Sequence, residues 1–280
     1  MASGKPRRPP DRRSESLERA AKKVETATAE LRKKADQLEA LSERLANFDL
    51  WTRPEPGSRR PRFSRDEIAG AALRIADSEG FDALSMRRLA AELGAGTMTL
   101  YHYVRTKDEL LSLVNDTVMG ELLVPAGQLP DDWRAAITMI ATRSRDAMRR
   151  HPWSLDIRDD PGPGPNGVRH FDQSMQAVMS LDLTLGEKFE LVTAVDEYVF
   201  GFCLAERSNA VDLDAMPEEM VAYVERLAAT GEYPTLTALS DEYGTRGAFE
   251  VLRAQIADPD RFGRNLARLL DGFAAGLTPS

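Results

Sequence analysis

Residues 63–110 read FSRDEIAGAALRIADSEGFDALSMRRLAAELGAGTMTLYHYVRTKDEL, and the fold follows from how helix starts and stops are spaced along them. Ser64 followed three residues later by Glu67 is a capping-box pattern, in which each side chain satisfies a backbone N–H of the other. It opens a helix that buries Ile68, Ala72 and Ile75 before Gly80 ends it. Ser85 caps a second helix with Leu89, Ala90 and Leu93 facing inward. A tight Gly94-Ala95-Gly96 turn leads into a very short third helix, capped by Thr97, with Leu100 packed inward and Met98, Thr99, Tyr101, His102 and Tyr103 left outward. A second capping box, Thr106 to Glu109, starts a fourth helix through Leu110, Leu111 and Val114. So brief a helix with so polar and aromatic a face suits a helix-turn-helix, whose second helix offers its first residues to base edges in the major groove.

The charge distribution agrees. The 280-residue chain carries a formal net charge of -8, yet residues 1–110 hold 22 Lys and Arg against 18 Asp and Glu, and residues 111–280 hold 15 against 27. Positive charge gathers at the candidate reading head, as expected of a chain with one nucleic-acid end. The length suits two domains. No apolar run approaches the roughly 20 residues of a membrane span, and Lys, Arg and Pro fill the start where a signal peptide needs an apolar core. The one cysteine, Cys203, excludes an internal disulfide framework, and a cytoplasmic protein is the simplest reading.

With these residues in register, the segment resembles the DNA-binding domain of the TetR family of bacterial transcriptional repressors. The matching residues are Gly80-Phe81, Leu84-Ser85-Met86-Arg87-Arg88-Leu89-Ala90, Leu93-Gly94, Thr99-Leu100-Tyr101-His102-Tyr103-Val104 and Lys107-Asp108-Glu109-Leu110, a match of about 50 residues. The tetracycline-repressor branch is the most similar, although His102-Tyr103 stands where that branch has Trp-His, so a different operator is expected. The resemblance implies DNA contacts from Arg87, Thr97, Met98, Thr99, Tyr101, His102, Tyr103 and Lys107. Each has a chemical reason. Thr hydroxyls bond bases or phosphates, Met98 and the Thr99 methyl can meet a thymine methyl, and the Lys107 ammonium joins free helix N–H groups at a phosphate. The competing reading packs Tyr101 and Tyr103 between helices.

Upstream, residues 1–14 form a basic tail expected to be disordered. Residues 15–50 follow as an amphipathic heptad helix, with Leu17, Val24, Leu31, Leu38 and Leu45 at one seam position. Ala20, Ala27, Leu41 and Phe48 hold the companion position, interrupted by Lys34. The helix either self-associates, pairing within a dimer or joining dimers into a higher assembly, or packs on its own body. Residues 51–62 are a Pro/Arg linker. Its Arg59, Arg60 and Arg62 either enter an adjacent minor groove, as homeodomain arms do, or remain solvated.

The domains expected are therefore a helix-turn-helix unit over 63–124 and an effector-binding and dimerisation domain over 125–280. Apolar three- and four-residue spacings place helices near 131–150, 166–181, 187–208, 215–230, 235–243 and 246–276, with a loop at Asp159–Pro165 and no strand pattern. The fold class is all-α. The resemblance implies that two late helices, best matched by 187–208 and 246–276, pair with their copies in a homodimer. Met148, His151, Trp153, His170, Phe171, Met175 and Glu197 are the candidate effector pocket, because Met and aromatic side chains make adaptable walls around a few polar groups. The effector expected is a largely apolar small molecule. The residues that bind tetracycline and magnesium in the branch do not carry over, and no cofactor or metal is expected. The three histidines are scattered and no catalytic motif is present, so an enzyme is not expected. The function implied is a ligand-responsive repressor acting as a homodimer on a near-palindromic double-stranded operator. The alternative is a structural or activating DNA-binding protein without a ligand, assembled through the heptad helix.

Overall fold

Ser64 accepts from the Glu67 N–H and the Glu67 carboxylate accepts from the Ser64 N–H, so the capping box opens helix α1, Arg65–Glu79, as its spacing requires. The structure is a computed structural model that describes residues 22, 28, 30, 32–34, 49–54, 62–157, 163–209 and 217–276. The seam residues Leu17, Val24, Leu31, Leu38 and Leu45 lie outside the described residues, as do the tail 1–14, Arg59, Arg60 and positions 159–162 of the expected loop. The chain divides into two compact units, Met1–Pro54 and Glu55–Ser280. In the first, the described residues 22, 28, 30 and 32–34 are helical and exposed. Residues 49–52 are also helical, so Trp51 and Thr52, read from sequence as linker, still belong to a helix, closed by an Arg53–Asp49 ion pair at 2.9 Å.

In the second unit, Gly80 ends α1 at φ 88°, a backbone conformation that a Cβ disfavours. A 3-10 turn, Phe81–Ala83, leads to α2, Met86–Glu92, capped by Ser85. Gly94 takes φ 59° in the turn before α3, Thr97–Tyr101. The cap of α3 is Gly96 rather than Thr97, because the extended backbone of Gly96 already sets the helix start and makes Thr97 the first helical residue. The long helix α4, Lys107–Leu122, is capped by Thr106. The reciprocal half of its expected box is shifted: the Glu109 carboxylate accepts from the Arg105 N–H at 2.7 Å, one residue before the cap.

The larger helical part comprises α5, Trp133–Arg150, with a 3-10 turn Pro152–Asp156 behind it, then α6, Pro165–Val178, and α7, Leu185–Asn209. After these come α8, Glu218–Ala228, α9, Pro234–Tyr243, α10, Thr245–Ala257, and α11, Arg261–Gly276. The single helix expected over 246–276 is two. Proline cannot donate a backbone hydrogen bond and forces its predecessor out of the helical region, and Asp258, before Pro259, sits at ψ 118°. The core draws Ile137, Ile140 and Ala141 from α5, Val178 from α6, Leu191, Val195, Val199 and Cys203 from α7, and Phe262, Leu266 and Leu270 from α11. Helices α8 to α10 pack mainly on one another. Among the described residues there is no strand, and no helix is long and apolar enough to cross a membrane.

Helix α4 is fastened at its far end by side chains from the larger part. The Gln173 side-chain amide accepts from the Val124 N–H and donates to the Val124 carbonyl, and Arg143 donates to the carbonyls of Glu121 and Leu122. Midway, the buried Asp116 carboxylate accepts from the N–H groups of Asn166 and Gly167 at 2.9 and 3.0 Å, satisfying donors that the first turn of α6 leaves open. Burial pushes the Asp116 carboxyl above its ordinary range, with the two backbone hydrogen bonds pulling it back. A raised carboxylate pKa favours the protonated form in the fold, so this contribution to stability is present at low pH and lost as pH rises through the folded value. Asp116→Asn, which keeps an acceptor without the charge, is expected to hold stability within about 1 kcal/mol and to remove that pH dependence. Asp116→Ala, which orphans two helix N–H groups, is expected to cost about 1–3 kcal/mol in urea unfolding at pH 7.

Candidate functional site

The candidate reading surface is built by burying one side of α3. Leu100 is fully enclosed beneath the helix, and on the other side Met98 is 73% and Tyr101 43% exposed, with His102 exposed beside them. Thr97 and Thr99 are half-buried. Arg87 is exposed in the first turn of α2, and Lys107 is exposed in the first turn of α4, its ammonium 6.0 Å from the centre of the Phe81 ring. Five of the expected contact residues thus meet solvent around α3 or at helix starts beside it, and the two threonines do so in part.

Tyr103 departs from the expectation. It is 4% exposed, meets Phe63 edge to face at 6.5 Å, and its hydroxyl accepts from the Phe63 N–H at 3.4 Å. The Tyr103 ring, two residues beyond α3, is therefore buried against Phe63 instead of facing outward. Its neighbour Val104 is fully buried as well. The period of so short a helix cannot separate these positions in sequence, because one further turn of chain decides which side faces in.

Arg62 is drawn away from an arm-like role: its guanidinium donates to the Gly94 carbonyl at 2.7 Å and lies 5.4 Å from the Phe63 ring. It braces the turn before α3. Arg88 is likewise occupied, held by Glu79 and Glu92, which raises its pKa and lowers that of Glu79.

The seven candidate pocket residues are not brought together. Met148 and Met175 pack half-buried against the larger core. His170 is half-buried, and burial holds its imidazole below the ordinary range. Phe171 is 48% exposed and meets Phe189 edge to face, and Glu197 is exposed, so neither faces an interior. His151 and Trp153 are buried, but against the helix-turn-helix: both reach the Asp77 carboxylate of α1. Both lie at or beyond the carboxyl end of α5, His151 at its cap and Trp153 in the 3-10 turn that follows, within reach of α1. An aromatic cluster lies in the core instead. The rings of Tyr198, Phe202 and Phe262 pack with centres 5.2–5.8 Å apart, Tyr198 stacked on Phe262 and Phe202 edge-on to Phe262. The guanidinium of Arg145, paired with Glu206, lies 5.2 Å from Phe202 and 4.8 Å from Phe262, and that of Arg261 lies 4.7 Å from Phe202. Arg145 is four residues from Ala141 and three from Met148 on α5, so the helical period signals its inward position.

Comparison with known proteins is consistent across the chain. Residues 68–114 match the family described as bacterial regulatory proteins, tetR family, and residues 126–277 match the tetracyclin repressor-like C-terminal domain. An HTH-type transcriptional repressor, DrrR1, of Streptomyces coeruleorubidus is 35% identical over 234 residues, covering 81% of this chain and 82% of that protein. The TetR family protein ActR of Streptomyces coelicolor, solved in complex with (S)-DNPA, aligns with a TM-score of 0.60 and 32% identity over 77% of this chain and 99% of its own. Its complex with actinorhodin aligns with a TM-score of 0.56 and 28% identity, over 77% and 97%.

The opposite settings of the two tyrosines generate a test. Tyr103→Ala empties a buried site and is expected to destabilise the protein by about 3–5 kcal/mol in chemical denaturation. Tyr101→Ala, at an exposed position, is expected to stay within about 0.5 kcal/mol of the parent.

Proposed function

Because the chain belongs to the TetR family of transcriptional regulators, we propose that it is a homodimeric repressor that holds a near-palindromic operator and is released by a largely apolar small molecule. The observation that carries the DNA side is the outward face of α3, with Met98 and Tyr101 exposed over a fully buried Leu100. In this reading Met98, Thr99, Tyr101 and His102 meet base edges, and Thr97, Arg87 and Lys107 meet phosphates. Tyr103 supports the helix from beneath. A dimer presents two such helices to successive major grooves, roughly 34–36 Å apart. We place the head at 63–124 and the effector and dimer part at 125–280, with the protein in the cytoplasm beside its DNA.

The effector site we assign to the core beside Tyr198, Phe202, Met148 and Met175, where aromatic and thioether walls meet the guanidinium groups of Arg145 and Arg261. That two complexes of the ActR relative hold (S)-DNPA and actinorhodin supports a small organic effector here too. Residues 15–50 we assign to assembly, whether within the dimer or between dimers. Sizing the chain with and without residues 1–50 separates the two: a mass ratio to the monomer that falls on deletion supports assembly between dimers, and an unchanged ratio opposes it.

Selection of bound genomic DNA followed by titration against random duplex tests the main reading, which fails if the two bind equally at physiological salt. Lys107→Ala is expected to weaken operator and random DNA alike and to lower the slope of log affinity against log salt by about 1. Thr99→Ala is expected to cost about 1–3 kcal/mol on the preferred operator and much less on random DNA.

A further inference from the structure

His151 closes helix α5 at its carboxyl end, and its two ring nitrogens lie between carboxylates of two different helices. Nδ1 is 2.7 Å from Asp77 of α1, and Nε2 is 3.2 Å from Glu121 of α4. The same Asp77 oxygen accepts from the Trp153 indole N–H at 2.7 Å, and the Trp153 ring stacks on Phe81 at 5.6 Å with the planes 11° apart. Arg150 donates to the other oxygen of Glu121 at 2.6 Å. His151 and Trp153 are 5% and 7% exposed. Hydrogen bonds to ionised groups in such enclosure are stronger and more directional than neutral surface ones.

These contacts join parts of the molecule that do different work. Asp77 and Phe81 belong to the helix-turn-helix head, whereas His151 and Trp153 end the helix that also carries Arg145 and Met148 into the aromatic core. Phe81 is also the ring beside which Lys107 sits. A displacement of the end of α5 therefore reaches the head through the Asp77 and Glu121 carboxylates and the Phe81 ring.

We propose that His151 and Trp153, locked on Asp77 and Phe81, are positioning residues that set the orientation of the reading head relative to the effector core, and through it the half-site spacing the dimer accepts. The inference rests on the reading of α3 as the operator-binding helix. Neither residue touches DNA. Both act by removing freedom from the head, so a loosened lock leaves the reading face intact but lets the two heads follow half-sites that the parent protein rejects.

The test uses the full chain and its selected operator, together with versions lengthened or shortened by one central base pair. Each such change shifts the half-sites by about 3.4 Å and turns one against the other by about 35°. The parent is expected to bind the altered spacings at least about 20-fold more weakly than the natural one. Trp153→Phe keeps the ring on Phe81 and loses the N–H, and Asp77→Asn weakens both hydrogen bonds. Each is expected to bind the natural operator within about 3-fold of the parent while the spacing penalty falls to about 5-fold or less. A proportional loss on all three spacings, or a penalty equal to the parent's, overturns the proposal. Parent protein that prefers no operator fails the reading of the head instead. If Asp77→Asn loses its helical circular dichroism, Trp153→Phe alone decides.

Discussion

Helix α4 must be buried on two sides by two different sets of helices, and the rest of the molecule is arranged around that requirement. Its buried residues, from Glu109 through Leu113, Val114 and Asp116 to Leu122, do not fall on one stripe. They wrap the helix, and it packs on α1 in the head and on α5 and α6 in the larger part. A helix enclosed in this way cannot end in open backbone, because buried N–H and C=O groups without partners cost more than the packing returns. Its start is therefore sealed by Thr106 and Glu109, and its end by Gln173 and Arg143. The carboxylate on its flank is spent on the first turn of α6.

The consequence for function is that head and core cannot be treated as beads on a string. Covalently they are joined through Val124 and the loop to α5, but Asp77, Phe81 and Glu121 are also held from the end of α5 by His151, Trp153 and Arg150. The exposed side of α3 is left free of such contacts. These contacts lie away from the outward face of α3, whose Met98 and Tyr101 are exposed while Leu100 and Tyr103 are buried.

Much of the head was legible because its signals are local. The Ser64 and Ser85 caps, the glycines at positive φ and the buried Ile68, Ile75 and Leu89 each follow from residue types within a few positions. Tyr103 was not legible, since α3 spans little more than one turn and its period gives no facing. The break between α10 and α11 was available in Asp258-Pro259, and apolar periodicity running through both helices obscured it. The candidate pocket was read from residue types alone, and types do not say toward what a side chain points. Phe171 faces solvent, and Trp153 faces the head.

By itself, then, the chain determined an all-α protein with a helix-turn-helix near residue 63 and a larger helical part behind it. It also placed positive charge at the reading end. These properties come from capping, glycine and proline conformation, apolar spacing and charge, all of which act over one or two turns. Tertiary structure alone decided that His151 and Trp153 serve the head, that Arg62 braces the Gly94 turn, that Asp116 caps α6, and that Arg145 and Arg261 meet at the aromatic cluster. Those partners stand up to 116 residues apart along the chain, as Arg145 and Arg261 do. Only the packing of helices that share no local signal brings them within hydrogen-bonding or stacking distance.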